Sequence, residues 1–250
     1  MACDARYDTI GHRYADFRRP DPTWEVEIWA ALGSAERVLN VGAGPGSYEP
    51  TDRSVLALEP SITMIEQRGA HAAPVVQGVA EALPFADDSF DVAMGVLTMH
   101  HWSDPHQGLR ELARVAPRQV LTVYEPERAH KMWLVDYFEA ALGSPIEVDP
   151  PTPATIAETL DVVDVRPLWV THDCHEGFAA AYWRRPERYL DPGVQGSISV
   201  IAMLTPSQIK DGTDRLRADI DSGAWHDKHG QHLPTDRADF GYRLVMAERR

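Results

Sequence analysis

Hydrophobic and polar positions follow two regimes along the chain. Between residues 37 and 124, short apolar runs alternate with amphipathic stretches. Arg37-Val38-Leu39-Asn40-Val41, Val55-Leu56-Ala57-Leu58, Pro74-Val75-Val76-Gln77, the run from Phe90 to Leu97 and that from Val120 to Tyr124 are near-continuous and of strand length. Between them, Ser61 to Arg68 turns Ile62 and Ile65 to one side, and Pro105 to Ala116 carries Leu109, Leu112 and Val115 on one stripe. Both segments read as helices. Strands that are apolar on both faces and alternate with helices predict a parallel sheet covered on both sides. Right-handed crossovers then give a doubly wound α/β fold that binds ligands at the carboxyl ends of its strands.

Outside this window the pattern is looser. Upstream, Trp24, Ile28, Trp29 and Leu32 recur at helical spacing, with Asp21 as N-cap, Pro22 at the first helical position and Gly33 as the stop. Downstream, Lys131 to Leu142 reads as a helix. Val162 to Val170 reads as a sixth strand, and Pro167 places it at a sheet edge. Residues 176–222 are mostly helical with Pro and Gly breaks, and Tyr242 to Ala247 is a final strand.

Composition narrows the partners. A hydrophobic fraction of 44% is ordinary for a chain that buries a core. No apolar run approaches the roughly 18–20 residues of a membrane span, and the opening residues Met1 to Tyr7 lack the apolar stretch of a secretory signal. Cys3 and Cys174 make no disulfide framework, so a cytoplasmic protein is expected. A net charge of -14, with only the short basic clusters Arg18-Arg19, Arg184-Arg185 and Arg249-Arg250, argues against nucleic acid as partner. The scarcity of lysine (Lys131, Lys210, Lys228) beside abundant arginine reflects the base composition of the source genome and carries no function.

The first candidate site is the loop Gly42-Ala43-Gly44-Pro45-Gly46 after the first strand. Glycines there permit positive φ and close approach of a ligand to main-chain groups. Glu59 closes the second strand, near the spacing of about 20 residues at which a carboxylate holds a ribose diol. A pyrophosphate site wants G-x-G-x-x-G opening a full helix. Here the spacing is G-x-G-x-G, and Pro50 lies within the short stretch before the next strand. The pattern therefore favours an adenosine-bearing ligand without phosphate and disfavours a nicotinamide oxidoreductase.

In these segments the chain resembles the class I SAM-dependent methyltransferases, especially the branch typified by quinone-biosynthesis methyltransferases. Val38 to Gly46 looks like the cofactor loop. Leu58-Glu59-Pro60-Ser61 with Met64 looks like the ribose motif and the residue that packs on adenine. Gly78 to Phe85 followed by Asp88 to Val92 is similar to the adenine-side motif, and Leu109 to Val115 to the helix that follows. The likeness covers about residues 7–125. It implies S-adenosyl-L-methionine (SAM) as cofactor, held by Asn40, Gly42, Ala43, Gly44, Gly46, Glu59, Pro60, Met64, Ala80, Glu81 and Leu97. It also implies an N-terminal segment that closes over the cofactor, with Tyr14 and Arg18 or Arg19 on the methionyl carboxylate, a task suited to the guanidinium fork. Two departures stand out. Val79 replaces the Asp that bonds the adenine amine in many relatives, leaving that role to groups near Ala80 and Glu81. The crossover after Gly46 is short, so Tyr48 or Glu49 would fill space usually taken by a helix.

The expected architecture is a Rossmann-like, doubly wound, mostly parallel seven-stranded sheet. Residues 1–34 form an N-terminal lid segment, 35–175 the core, 176–235 a helical cap inserted before the last strand, and 236–250 the final core strand. Methyl transfer is an in-line displacement that asks the protein to align the nucleophile, exclude water and in some cases accept a proton. His100 and His101, after the fourth strand, are the candidates for that base, with at least one of the adjacent pair packed structurally. Tyr124 and Glu125 are second-choice acceptor contacts. Trp133, Tyr137, Phe138, Trp169, Phe178, Tyr182, Trp183 and Trp225 are expected to be largely cap core, but together they favour a small, apolar or aromatic acceptor. His226, His229 and His232, and His172, Cys174 and His175, match no standard zinc spacing, and no metal is expected. The sequence thus reads as a monomeric or homodimeric methyltransferase acting on O, N or C of a small molecule. The alternatives are a methyltransferase of macromolecules and a SAM- or adenosine-binding protein without methyl transfer.

Overall fold

A computed structural model describes residues 7–10, 14–144 and 146–250. Cys3 and the rest of the opening segment, residues 1–6, lie outside the described residues, and the His232 side chain is likewise not described. The chain begins with short helices α1 (Tyr7–Ile10) and α2 (Tyr14–Phe17), then α3 (Pro22–Leu32). The core follows as β1 (Arg37–Val41), β2 (Ser54–Glu59), α4 (Ile62–Glu66), β3 (Val75–Gln77), β4 (Val92–Val96), α5 (Pro105–Val115) and β5 (Arg118–Tyr124). After α6 (Pro126–Ala129) and α7 (Pro153–Thr159) comes β6 (Asp161–Pro167), then β7 (Val170–Thr171). Helices α8 (Pro192–Ser197), α9 (Ser199–Ala202), α10 (Pro206–Ser222) and α11 (Ala224–His229) lead to β8 (Arg237–Ala238) and β9 (Tyr242–Glu248). Seven strands form the main sheet in the order β3-β2-β1-β4-β5-β9-β6, and β7 and β8 form a separate pair. The sheet is parallel through β5, and β9 runs antiparallel between β5 and β6.

Both faces of the sheet are covered, as the unbroken apolar strands require. Val38, Val92, Met94 and Val120 point to the side packed by Trp24, Ile28 and Leu32 of α3. Their neighbours Leu39, Ala93 and Leu121 point to the side packed by Leu109, Leu112 and Val115 of α5 and Ile156 of α7. The α3 start is as read from sequence: the Asp21 carboxylate accepts from Thr23 N at 2.9 Å and Trp24 N at 3.2 Å, with Pro22 in the first turn. Pro167 ends β6, which sits at the sheet edge with Val163 and Val165 exposed.

The expected helix over 131–142 is replaced by two 3-10 turns, Trp133–Asp136 and Glu139–Gly143. Tertiary partners outcompete the helical ladder there. The Tyr137 carbonyl accepts from Arg215 at 2.6 Å, the Tyr137 hydroxyl donates to Asp219, and the Trp133 indole donates to the Trp183 carbonyl. Gly212 of α10 packs so closely on this segment that a Cβ would come within 2.6 Å of the Tyr137 carbonyl oxygen. Among the described residues no helix is long and apolar enough to cross a membrane.

Candidate active site

The carboxyl edge of β1, β2 and β4 opens into a cleft with an empty volume of about 1530 Å³. Its floor is the loop after β1. Gly42 and Gly44 have φ of 66° and 53°, in the left-handed region. Gly42 is required by crowding as well, since a Cβ there would lie 1.9 Å from Thr98 Oγ1. At Gly44 the same Cβ would meet nothing within 4 Å, which is how a surface left clear for a ligand looks. The loop amides, however, are spent inside the protein. Gly42 N and Ala43 N both donate to the Leu58 carbonyl, Gly44 N to Glu59 Oε2 at 2.8 Å, and Gly46 N to the Ala43 carbonyl. These four amides are thus paired within the protein, and a phosphate would find no free donor among them.

Glu59 lies at the end of β2, 4% exposed, and lines the cleft. Its carboxylate accepts from Ser61 N at 3.0 Å as well as from Gly44 N. Burial pushes its carboxyl above the usual range, and these two amides pull against that shift. Asn40, Ala43, Pro60, Met64, Val79, Ala80 and Leu97 also line the cleft, with Met64 buried. Glu81 lines it too, and one of its carboxylate oxygens, Oε1, accepts from Ser103 N, Ser103 Oγ and Asp104 N. Gly46 does not line the cleft; a Cβ on it would approach Ala72 to 2.9 Å, so it shapes the loop from behind.

The short crossover is held by an ion pair that sequence reasoning did not assign. Glu49 and Arg68, each 5% exposed, meet at 2.7 Å. Arg68 also donates to the carbonyls of Gly44 and Ala73, and Glu49 accepts from Asn40 Nδ2 and Ala73 N. A carboxylate inside a crossover too short for a helix was the available signal; its partner lies on another element and left none. Tyr48 is fully buried at φ 63°, so both Tyr48 and Glu49 occupy the space a crossover helix would fill.

The N-terminal segment covers one side of the cleft. Ser61, the N-cap of α4, donates its hydroxyl to Asp8 at 2.6 Å, and Ala15 N donates to Gln67. Tyr14 and Arg18 reach the cleft. Arg19 is exposed and outside its lining, so of the two arginines the structure brings only Arg18 to the site. Arg18 pairs with Glu176 at 3.4 Å, and the Tyr48 hydroxyl makes a short hydrogen bond to the same carboxylate. Buried Glu176 is pushed up to about 7 by desolvation, against the pull of Arg18 and Tyr48. This third unassigned carboxylate ties the N-terminal segment, the crossover and the later half together.

A second chamber, with an empty volume of about 880 Å³, adjoins the first and shares Tyr7, Tyr14, Arg18 and Leu97 with it. Leu97, at the end of β4, has φ 48°, a backbone conformation that costs a non-glycine residue on the order of 1–3 kcal/mol. The strain sits on the shared wall. The neighbouring turn divides the two histidines: His100 lines the second chamber, His101 the first. The Tyr7 hydroxyl lies 3.0 Å from His101 Nε2 and 2.8 Å from Ser199 Oγ. His100 stands edge-on to Tyr124, with ring centroids 5.6 Å apart. Of the later aromatics, Phe138 and Phe178 line the second chamber, along with Tyr124. Trp133, Tyr137, Tyr182, Trp183 and Trp225 are buried outside that lining, and Trp169 is exposed. Glu125 turns away to pair with Arg243 at 2.6 Å.

Fold and cleft together define a Rossmann-like α/β protein with a ligand-sized site at the carboxyl edge of its sheet. The methyltransferase domain family matches residues 39–121. A putative methyltransferase from an antibiotic biosynthesis pathway of Anabaena variabilis is 30% identical; the alignment covers 92% of this chain and 98% of that one, with a TM-score of 0.85. The chain belongs to the methyltransferase family. An uncharacterized methyltransferase of Bacillus subtilis is 36% identical over 97 residues, 34% of this chain and 38% of that protein. A demethylmenaquinone methyltransferase of Renibacterium salmoninarum is 33% identical over 100 residues, 37% of this chain and 42% of that protein. The chain thus spans less than half the length of each of these two curated relatives.

Proposed function

We propose that this protein is a SAM-dependent methyltransferase of a small, apolar acceptor. The observation that carries the reading is the pair of adjoining chambers with a common wall at Tyr7, Tyr14, Arg18 and Leu97. One is polar at its floor, with a buried carboxylate and no free donors among the loop amides, and suits an adenosine-bearing, phosphate-free ligand. The other is walled by Met132, Leu134, Phe138, Ile146 and Ile198 and suits an apolar molecule.

Glu59 would hold the ribose, Met64 and Leu58 would pack on adenine, and Arg18 with Tyr14 would face the methionyl end. Once bound, SAM supplies an electrophilic methyl group on a sulfonium. The chain aligns the acceptor against the shared wall, excludes water with apolar side chains, and places His100 on the acceptor side as the candidate proton acceptor. His101, bonded to Tyr7, orients the N-terminal segment. The protein acts in the cytoplasm, and the helices between β7 and β8 serve as the cap over the acceptor. The Anabaena relative's place in an antibiotic pathway fits a small-molecule acceptor, and the menaquinone relative's name fits an apolar one.

The test is incubation with methyl-labelled SAM and a panel of apolar hydroxyl, amine and activated-carbon acceptors. Label is expected in a small product, and replacing His100 with Gln is expected to lower turnover by about 10²-fold or more. Label carried into protein or tRNA would instead favour a macromolecular substrate. SAM binding without transfer to any acceptor would favour an adenosine-binding role. Unchanged turnover after replacing both His100 and His101 would remove the base.

A further inference from the structure

The apolar chamber contains a polar cluster that the reading above leaves without a task. His130, which follows α6, sets its Nε2 2.8 Å from Oε2 of Glu147. The Tyr124 hydroxyl, at the end of β5, lies 3.0 Å from Oε1 of the same carboxylate and 3.0 Å from the Ile146 carbonyl oxygen. Tyr124, His130 and Glu147 all line the chamber, and the His130 and Glu147 side chains are 30% and 13% exposed.

Each carboxylate oxygen of Glu147 already has a protein partner, His130 Nε2 or the Tyr124 hydroxyl. Its effect is on His130. A carboxylate at Nε2 selects the tautomer that carries its proton there, which leaves the lone pair on Nδ1. His130 lines the chamber, so its neutral ring in this tautomer would offer Nδ1 as an acceptor beside walls that are largely apolar. A ligand carrying a hydroxyl satisfies it; one of the same shape without a donor leaves it unpaired, which is how a site discriminates strongly between isosteres.

We propose that His130, held by Glu147, is the recognition residue of this chamber, and that the acceptor is an apolar molecule bearing a hydroxyl that donates to His130 Nδ1. The proposal rests on the methyltransferase reading for the identification of this chamber as the acceptor's. Glu147 is a positioning residue: it acts through the His130 ring.

Fluorescence titration of the full chain with 2-naphthol and with 2-methoxynaphthalene, which has no donor, tests it without cofactor or turnover. The wild type is expected to bind the naphthol about tenfold more tightly, the worth of one hydrogen bond. His130→Phe should bring the two affinities together while leaving binding of S-adenosylhomocysteine (SAH) intact by calorimetry, which also shows that the variant is folded; His130→Gln serves if the Phe variant is not. Glu147→Gln should change the ring-nitrogen NMR signature of His130 and with it shrink the preference for the naphthol, the second of which a merely structural pair would not do. Equal affinities in the wild type, no binding of either probe, or a preference that survives in the folded His130 variant would overturn the proposal. Failure of the wild type to bind SAH, with the naphthol preference intact, would strike the methyltransferase reading alone.

Discussion

The two chambers are built in opposite ways. The cleft at the carboxyl edge draws most of its wall from four short stretches between residues 40 and 103, and its floor is main chain locked by hydrogen bonds to the adjacent strand. The apolar chamber gathers side chains from Tyr7 to Tyr242, held by ring contacts and by pairs such as His130–Glu147. A site floored by backbone depends on the few side chains that hold the loop, here Glu49, Arg68 and Glu59. One made of packed side chains changes with each substitution. The difference teaches that one chamber is shaped by chain geometry and the other by side-chain packing, which suits the cofactor and acceptor roles proposed for them.

The contrast breaks most visibly at the ion pair behind the glycine loop. Glu49→Ala leaves Arg68 buried without its carboxylate, which is expected to cost about 3–5 kcal/mol in denaturant unfolding and to disorder the cleft. A loss below about 1 kcal/mol would mean that the backbone floor does not depend on this pair.

Glu176 joins the two halves, and its titration sharpens the comparison. Burial raises its carboxyl to about 7 in the folded protein, from the ordinary 4.5. The folded state therefore holds a proton that the unfolded state releases. The stabilisation is full below pH ~4.5 and is lost as pH rises through ~7. Across that window Glu176 contributes a decline on the order of 3 kcal/mol. Glu176→Gln should flatten this part of the stability profile, and an unaltered slope would assign the effect elsewhere.

The smallest effect is expected at Arg19. Because Arg19 is exposed and outside both chambers, Arg19→Ala should change stability by less than about 0.5 kcal/mol and leave SAH affinity unchanged, whereas Arg18→Ala should weaken it. Equal losses for both would restore Arg19 to the site.

What could be read from the sequence follows the same division. The strands of the core, the Asp21-Pro22 helix start and the edge position of the Pro167 strand rest on local periodicity and local backbone chemistry, so each was legible. Glu59 and the glycine loop were legible because each directly follows or ends an apolar run, at a spacing readable along the chain. The use of the loop amides was not, since it depends on the register that brings Leu58 beside Gly42. Glu49–Arg68, Tyr48–Glu176 and His130–Glu147 join residues that share no sequence pattern, and only the fold brings them together. The failed helix over 131–142 has the same origin: Arg215, from a helix distant in sequence, captures the Tyr137 carbonyl that the helix would have used, and Asp219 of the same helix anchors the Tyr137 hydroxyl.

The central claim is that the Glu59 cleft takes an adenosine ligand without phosphate. Calorimetric titration of SAH into the wild type and Glu59→Ala, beside NADH, tests it most directly. The account predicts one-to-one SAH binding by the wild type, a weakening of about 100-fold on loss of the carboxylate, and no measurable uptake of NADH. Equal SAH affinity in both proteins, or tighter binding of NADH than of SAH, would contradict it.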